Sequence, residues 1–334
     1  MINIDEPLNL AKEKWDVVAI GEALVDFISQ DYVSSLMDAE RFERCFGGSP
    51  GNVVINMANL GFKPIMISAV GDDYLGQYFL DSLSKQGVPL DGVEIIKDTN
   101  TTVVMVSKSK KNPEFIAIRG ADKMLRPRES HLKLLDKSSL LHFTAWALSH
   151  PDIREASLRL ILYGKKKKKI IGFDPNFRHS IWEKQHDGVR LMKEIMGYVD
   201  IIKPSEADAE FIFGNDSYEG YLEKFLGLGC KLVILTLGEK GLLASDGRKI
   251  LRLPSFAKEV QDTTGAGDAF WSGFYGSLLR GNKVKEAIKH GSYTAAYKVK
   301  YIGGVCSLPN LKTLIETFEG EKNEGSIFKS TGKF

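Results

Sequence analysis

The chain has 334 residues, 43% hydrophobic, 26% charged and 10% aromatic, with 45 Lys and Arg against 43 Asp and Glu for a net charge of +2. That apolar share excludes a disordered chain or a disulfide-stapled miniature, and the length suits about two domains or one large α/β domain with an elaboration. The near-zero balance argues against nucleic acid as a partner, and the lack of an uncharged apolar run of roughly 18 residues argues against a membrane.

In chain order, Val17–Ile20, Ile65–Val70, Leu140–Phe143, Ile170–Phe173, Ile201–Ile202 and Leu232–Leu235 read as strands buried on both faces. Helical patterns lie between them at Asn52–Leu60, Leu75–Gln86, Ile153–Tyr163, Gly188–Tyr198 and Ala207–Phe213. Such alternation predicts a parallel sheet with helices on both sides, whose ligands gather beyond the carboxyl ends of the strands. One stretch breaks the rhythm. Thr101–Ser107 and Pro113–Ile118, joined by the charged tip Lys108–Asn112, read as a hairpin, which with Tyr32-Val33 and Arg41–Phe46 predicts a small antiparallel flap. Lys165–Lys169 reads as a solvated face at a helix C-terminus, where cations suit the helix dipole. After Pro309 one helical piece, Leu311–Phe318, precedes a polar end expected to fray. Cys45, Cys230 and Cys306 show no pairing or zinc spacing, and the first residues mix Asp5, Glu6, Lys12, Glu13 and Lys14 instead of forming a signal-peptide core, so a reduced, cytoplasmic protein is expected.

Motifs narrow the chemistry. The chain has no Gly-x4-Gly-Lys-Ser/Thr loop, no Gly-x-Gly-x-x-Gly after a strand and no His-Glu-x-x-His. Gly47-Gly48-Ser49-Pro50-Gly51 matches the hydrolase elbow Gly-x-Ser-x-Gly, but the elbow needs a backbone N–H after its serine, and Pro50 has none. The segment instead offers a tight turn that opens a helix near Asn52, an amide able to donate to and accept from sugar hydroxyls; a plain structural turn is the competing reading. The strongest signal is Asp262-Thr263-Thr264-Gly265-Ala266-Gly267-Asp268, leading into a helix with small residues at Ala269, Gly273 and Gly276. Successive N–H groups of Gly265-Ala266-Gly267 at a helix start would hold an anion. An aspartate there would repel a phosphate unless it takes the proton of an attacking hydroxyl, which is the arrangement of phosphoryl transfer. The bland alternative makes Asp268 a simple N-cap.

Gly47–Gly61 and Asp262–Phe274 resemble the two signature segments of the ribokinase-like (PfkB) family of sugar kinases. Gly21–Asp26, Gly71–Gly76, Arg119–Asp122, Asp174–Arg178 and Thr236–Gly241 follow in family order, so the resemblance covers roughly residues 15 to 310. It implies a single kinase domain over residues 1–334, a three-layer, doubly wound, mostly parallel α/β sheet, with a β-lid from about 30–46 and 99–120. It implies Asp268 as general base, Gly265, Ala266 and Gly267 as the anion hole, and Asp26, Gly47, Gly48 and Asn52 on the sugar, with Arg119 and Arg178 as further substrate-side candidates. Ser205, Thr236, Gly238, Gly241 and Gly304 would serve the nucleotide. ATP and Mg²⁺ are the implied cofactors, with Mg²⁺ reached from Asp208 through water, and K⁺ is added at a site beside the anion hole made by Asp262, Thr264 and Ser307. The lid would exclude water and pair into a homodimer.

The chain departs from the family at Ser205-Glu206-Ala207-Asp208, where Asn-x-x-Glu is usual. That serine, Gly21-Glu22 and Asp174-Pro175-Asn176-Phe177-Arg178 resemble the fructokinase and 2-keto-3-deoxygluconate kinase branches. The implied activity is transfer of the γ-phosphate of ATP to a primary hydroxyl of a ketose, fructose first. 2-Keto-3-deoxygluconate, ribose and nucleosides are rivals within the class, and a non-catalytic sugar- or nucleotide-binding module is the rival outside it.

Overall fold

The computed structural model describes residues 2–109, 114–182 and 187–330, the last ten as backbone alone. Residues 110–113, which include most of the expected hairpin tip, lie outside the described residues.

Nine strands form the main sheet: β1 (Trp15–Ile20), β4 (Pro64–Gly71), β5 (Val93–Ile96), β8 (Ser138–Thr144), β9 (Ile170–Asp174), β10 (Ile201–Ile202), β11 (Leu232–Thr236), β12 (Leu242–Ser245) and β13 (Ile250–Leu253). Their order is β13-β12-β11-β10-β9-β8-β1-β4-β5, parallel throughout except for antiparallel β12 and β13 at one edge. Alternation along the strands feeds two cores, as a sheet covered on both faces requires. In β11, Leu232 and Ile234 join Phe270, Trp271 and Phe274 on one side, and Val233 and Leu235 join Phe225 and Ile212 on the other. The first side carries α1 (Ser49–Asn59), α8 (Ala266–Leu279) and α9 (Val284–Lys298). The second carries α3 (Glu129–Asp136), α4 (Pro151–Lys166), α5 (Gly188–Ile195), α6 (Glu206–Phe213) and α7 (Tyr218–Gly227), and α2 (Tyr74–Lys85) packs with α1 around Phe46 and Phe79. The result is a three-layer α/β architecture.

The shorter elements β5, β12, β13, α3 and α7 have too few periodic residues to stand out in the sequence, and α9 is hidden by its polar Lys, His, Ser and Thr residues. Lys167, beyond the end of α4, pairs with Asp136 (3.0 Å) as part of a solvated charged face, whereas Lys169 is mostly buried, pairing with Glu13 (3.2 Å) and donating to Asp136 O (2.9 Å), because it leads directly into β9. The last helix, α10 (Leu311–Ser330), runs past Phe318, since the Glu- and Lys-rich tail supplies helix formers. None of the described helices is long and apolar enough to cross a membrane.

A second sheet, β3-β2-β6-β7, is built from β2 (Leu24–Tyr32), β3 (Phe42–Gly47), β6 (Thr102–Lys108) and β7 (Phe115–Ile118). The hairpin β6–β7 is antiparallel, as is β2–β3, whereas β2 and β6 run parallel. β2 begins six residues earlier than the expected flap boundary at 30, because its apolar run starts at Leu24-Val25 and only Asp26 interrupts it.

The junction between the sheets is electrostatic. Arg119 lays its guanidinium across the Asp122 carboxylate (Nη2–Oδ2 2.6 Å), donates to Ser149 Oγ (2.7 Å) and stacks on Trp146. Asp122 is fully buried and also accepts from Trp146 Nε1 (2.8 Å) and Thr102 Oγ1. Removing the cation strands a buried carboxylate, so Arg119→Ala is expected to cost about 3–5 kcal/mol in chemical denaturation. A loss of under about 1 kcal/mol, the value of an exposed pair, would show that the clasp does not hold the junction.

Candidate active site

The sequence features converge beyond the carboxyl ends of the parallel strands. Gly265, at φ 72°, is the N-cap of α8, and Ala266 N–H turns back to Thr263 O (3.1 Å). Ala266 N–H is therefore spent on the turn, and the N–H groups left open at the helix start are those of the following residues, which no earlier helical turn satisfies. A side chain on Gly265 would collide with the Gly304 carbonyl, and one on Gly304 with Asn52, so loop, helix start and α1 are in direct contact.

Asp268 lies in the first turn of α8 and caps nothing; the capping position is Gly265. Its carboxylate is 7% exposed and is held from α1 by two neutral donors. Ser49 Oγ donates to Oδ1 at 2.6 Å, and Asn52 Nδ2 donates to Oδ2 at 2.8 Å. Burial pushes its pKa up to about 6, Ser49 and Asn52 pull it back by stabilising the charge, Asp174 pushes up, and Lys203 pulls down. The Asn52 carboxamide oxygen is buried without a partner among the described residues and is available to a hydroxyl donor.

Two residues that the sequence analysis gave no site role, one of them Glu22 of the Gly21-Glu22 pair, complete this network. Glu22 accepts Ser49 N–H (2.9 Å) and Thr144 Oγ1 (3.3 Å), fixing the start of α1 under Asp268. Burial pushes Glu22 up to about 8, so near neutrality it holds Ser49 without adding a negative charge. Lys203, 4% exposed just after β10, pairs with Asp174 (2.8 Å), which also takes the Trp271 indole N–H (2.8 Å). A Cβ on Gly267 would stand 3.1 Å from Lys203 Nζ, so this ammonium borders the open end of α8. The available signals were a glutamate two residues past β1 and a lysine flush against a two-residue buried strand. A search for a lysine inside a glycine-rich loop passes over both.

On the acceptor side, Asp26 lies against Gly47, where a Cβ would run into its carboxylate, and Gly48 at φ 95° crosses the Glu22 carbonyl. Burial, then the charge of Asp268, pushes Asp26 up to about 7. On the nucleotide side, Ser205 and Thr236 are bridged, Gly238 (φ 57°) faces open space, and Gly241 packs on Leu253-Pro254. A 340 Å³ cavity lined by Tyr218, Lys240, Arg252 and Pro254 adjoins this turn and includes none of the residues around Asp268.

Four of the expected site groups make contacts of their own in the fold. Arg119 is engaged by Asp122 in a structural clasp. Arg178 is exposed and bonds only the carbonyl of its neighbour Phe177 (3.1 Å), apart from the Asp268 cluster. Ser205 and Asp208 form the capping box of α6, with Asp208 Oδ2 accepting Ser205 N–H and Oγ–H (2.9 and 2.6 Å) and Oδ1 accepting Phe177 N–H (2.9 Å). Asp208 is thus a helix cap first, with only an Oδ1 lone pair left for a water. Among the residues expected at a monovalent-cation site, the Asp262 carboxylate accepts Thr264 N–H and Oγ–H (2.9 and 2.7 Å) and Gly303 N–H (2.8 Å), Ser307 is exposed, and the Lys298 ammonium bonds the Asp262 carbonyl.

Residues 14–311 match the model of the pfkB family carbohydrate kinases. The chain belongs to the PfkB family. This PfkB kinase is 40% identical to an ATP-dependent 6-phosphofructokinase of Thermoanaerobacterium thermosaccharolyticum, covering 96% of this chain and 99% of the relative. It is 31% identical to fructokinase-1 of Oryza sativa subsp. japonica, over 91% and 97% of the two chains. Its structure is similar to that of Halothermothrix orenii fructokinase, with a TM-score of 0.76 and 41% identity over 83% of this chain and 97% of that one. As a PfkB kinase it is a phosphotransferase acting on a carbohydrate, with ATP and Mg²⁺ as the family's expected cofactors.

A base works only when ionised, so kcat/KM is expected to fall as the pH drops through about 6, the value for Asp268. Ser49→Ala removes a donor to the charged form and is expected to move that acidic limb to higher pH. A limb that stays in place in the variant removes Ser49 from the control of Asp268.

Proposed function

We propose that this protein is an ATP-dependent kinase of a ketose primary hydroxyl, with fructose as acceptor. The observation that carries the reading is the Ser49–Asp268–Asn52 cluster at the open end of α8. Asp268 accepts the hydroxyl proton on whichever oxygen its two donors leave accessible, while Asn52, Asp26 and the Gly47-Gly48 turn orient the sugar. The phosphoryl group is met by the N–H groups at the start of α8 and by the Lys203 ammonium, so positive charge stands where negative charge develops. Glu22 holds the α1 start, and its neutral form avoids a third repulsive carboxylate. The small sheet acts as a lid that excludes water. Ser205, Thr236, Gly238, Gly241 and Gly304 stay assigned to the nucleotide side.

No cluster of three or more His, Cys, Asp or Glu side chains able to hold a metal occurs among the described residues. Mg²⁺ fits as an ion brought with the nucleotide and its waters, with Asp208 Oδ1 as its outer-sphere partner. When bound, it neutralises phosphate charge.

Fructose is supported by the plant and bacterial fructokinases that the chain resembles. A second reading, fructose 6-phosphate as acceptor, is favoured by the bacterial relative's name. With Arg119 committed to Asp122, Arg178 is the exposed guanidinium left to meet such a phosphate. The homodimer is also part of this proposal. Ile116 and Ile118, on one face of β7, are 54% and 59% exposed, and sedimentation equilibrium tests whether that face pairs. Cytoplasmic location is proposed from the unpaired cysteines.

An ADP-release assay across fructose, fructose 6-phosphate, ribose, 2-keto-3-deoxygluconate and nucleosides tests the acceptor: highest kcat/KM on fructose supports the reading, and turnover confined to nucleosides or sugar acids overturns it. Asp268→Asn is expected to lower kcat by about 10²–10⁴ with ATP binding retained, and Lys203→Met by about 10²–10³. Near-normal kcat in either variant removes that residue from its assigned role.

A further inference from the structure

Lys298 is the last residue of α9 and is completely buried. A lysine ammonium has three donors and no acceptor, so it is retained inside a protein only where oxygens face it. Here the oxygens are backbone carbonyls: Nζ donates to Tyr301 O at 3.2 Å and to Asp262 O at 3.4 Å. These carbonyls belong to the two loops that shape the start of α8. From Asp262 the contact continues through Thr264 to Gly265, the N-cap, and from Tyr301 it continues to Gly303 and Gly304, whose carbonyl abuts Gly265. Gly303 N–H closes the pair of loops by donating to the Asp262 carboxylate (2.8 Å). Burial pulls the Lys298 pKa down, whereas the Asp262 and Asp268 carboxylates favour its ammonium form.

Backbone carbonyls turned towards a point of positive charge are also how proteins coordinate a bare monovalent cation. We infer that Lys298 is a positioning residue whose ammonium serves as a built-in monovalent cation, bracing the two loops around the anion hole so that the chain needs no K⁺ there. This rests on the reading of the α8 start as the phosphate-binding turn. It takes the place of the K⁺ site expected at Asp262, Thr264 and Ser307, where the Asp262 carboxylate already accepts three hydrogen bonds and Ser307 is exposed. The advantage is kinetic and local: the charge is covalently present, so the turn is set before nucleotide arrives.

The test compares wild type, Lys298→Ala and Lys298→Met in KCl, NaCl and choline chloride at equal ionic strength, by kcat/KM and by calorimetric Tm without nucleotide. Wild type is expected to be indifferent to the salt in both readouts. Lys298→Ala opens a carbonyl-lined space and is expected to lose about tenfold or more in kcat/KM, with K⁺, but not choline, raising both its rate and its Tm. Lys298→Met refills that space with an apolar chain and is expected to show the loss without the K⁺ rescue. Several-fold activation of wild type by K⁺ over choline overturns the inference, as does an alanine variant with no K⁺-specific change in Tm. Should that variant not fold, a methionine variant with unimpaired kcat/KM overturns it equally. Wild type that transfers no phosphate in any salt sinks the kinase reading instead, and leaves the Tm comparison to decide the role of Lys298.

Discussion

A carboxylate removed from water at the start of a helix keeps its charge only if other groups replace the lost solvation. For Asp268 the replacements are a serine hydroxyl and an asparagine amide on α1, one on each oxygen. Both donors are neutral, so they stabilise the charge without cancelling it, and the carboxylate stays basic at about 6 instead of sinking into a salt bridge. The same two contacts tie α1 to α8 on one face of the central sheet. The packing between those helices and the proton chemistry at their starts therefore depend on one another.

The surroundings follow from that requirement. Three charges around Asp268 are limited in reach: Glu22 is driven towards its neutral form by burial, Lys203 is balanced by Asp174, and Asp122 is clasped by Arg119. In the proposed reading, Lys203 would supply from the end of a short strand what a glycine-rich loop lysine supplies in other phosphate sites. Glycines are needed where backbones touch. Gly265, Gly304 and Asn52 lie in one line of contact, and a side chain at either glycine would push the phosphate-binding turn off α1.

The main sheet was readable because β1, β4, β8, β9 and β11 are apolar on both faces, and the hairpin β6–β7 because its alternation breaks the helix–strand rhythm. The motif residues Asp268, Asn52 and Gly265 were readable because glycine-flanked polar residues at a helix start have few structural uses. Other parts of the site depend on pairing in space. Arg119 has the spacing of a ligand but faces Asp122, three residues on, and Asp208 has the spacing of a metal residue but closes its own helix. Lys298 lies in a helix whose neighbours include Lys285, Lys289 and Lys300, and only its complete burial distinguishes it from those more exposed lysines. Ser49 was visible as part of the Gly-x-Ser-x-Gly match, and Pro50 rightly excluded the hydrolase. The hydroxyl's actual partner lies 219 residues away, a separation no local pattern reports.

The most direct test of the central claim is a crystal structure of the protein with fructose and a non-hydrolysable ATP analogue. The account predicts a primary hydroxyl of the sugar within about 2.6–3.2 Å of an Asp268 oxygen, with the terminal phosphate at the start of α8 beside Lys203. A sugar hydroxyl presented to another base, with Asp268 still closed on Ser49 and Asn52 and out of reach of both ligands, would contradict it.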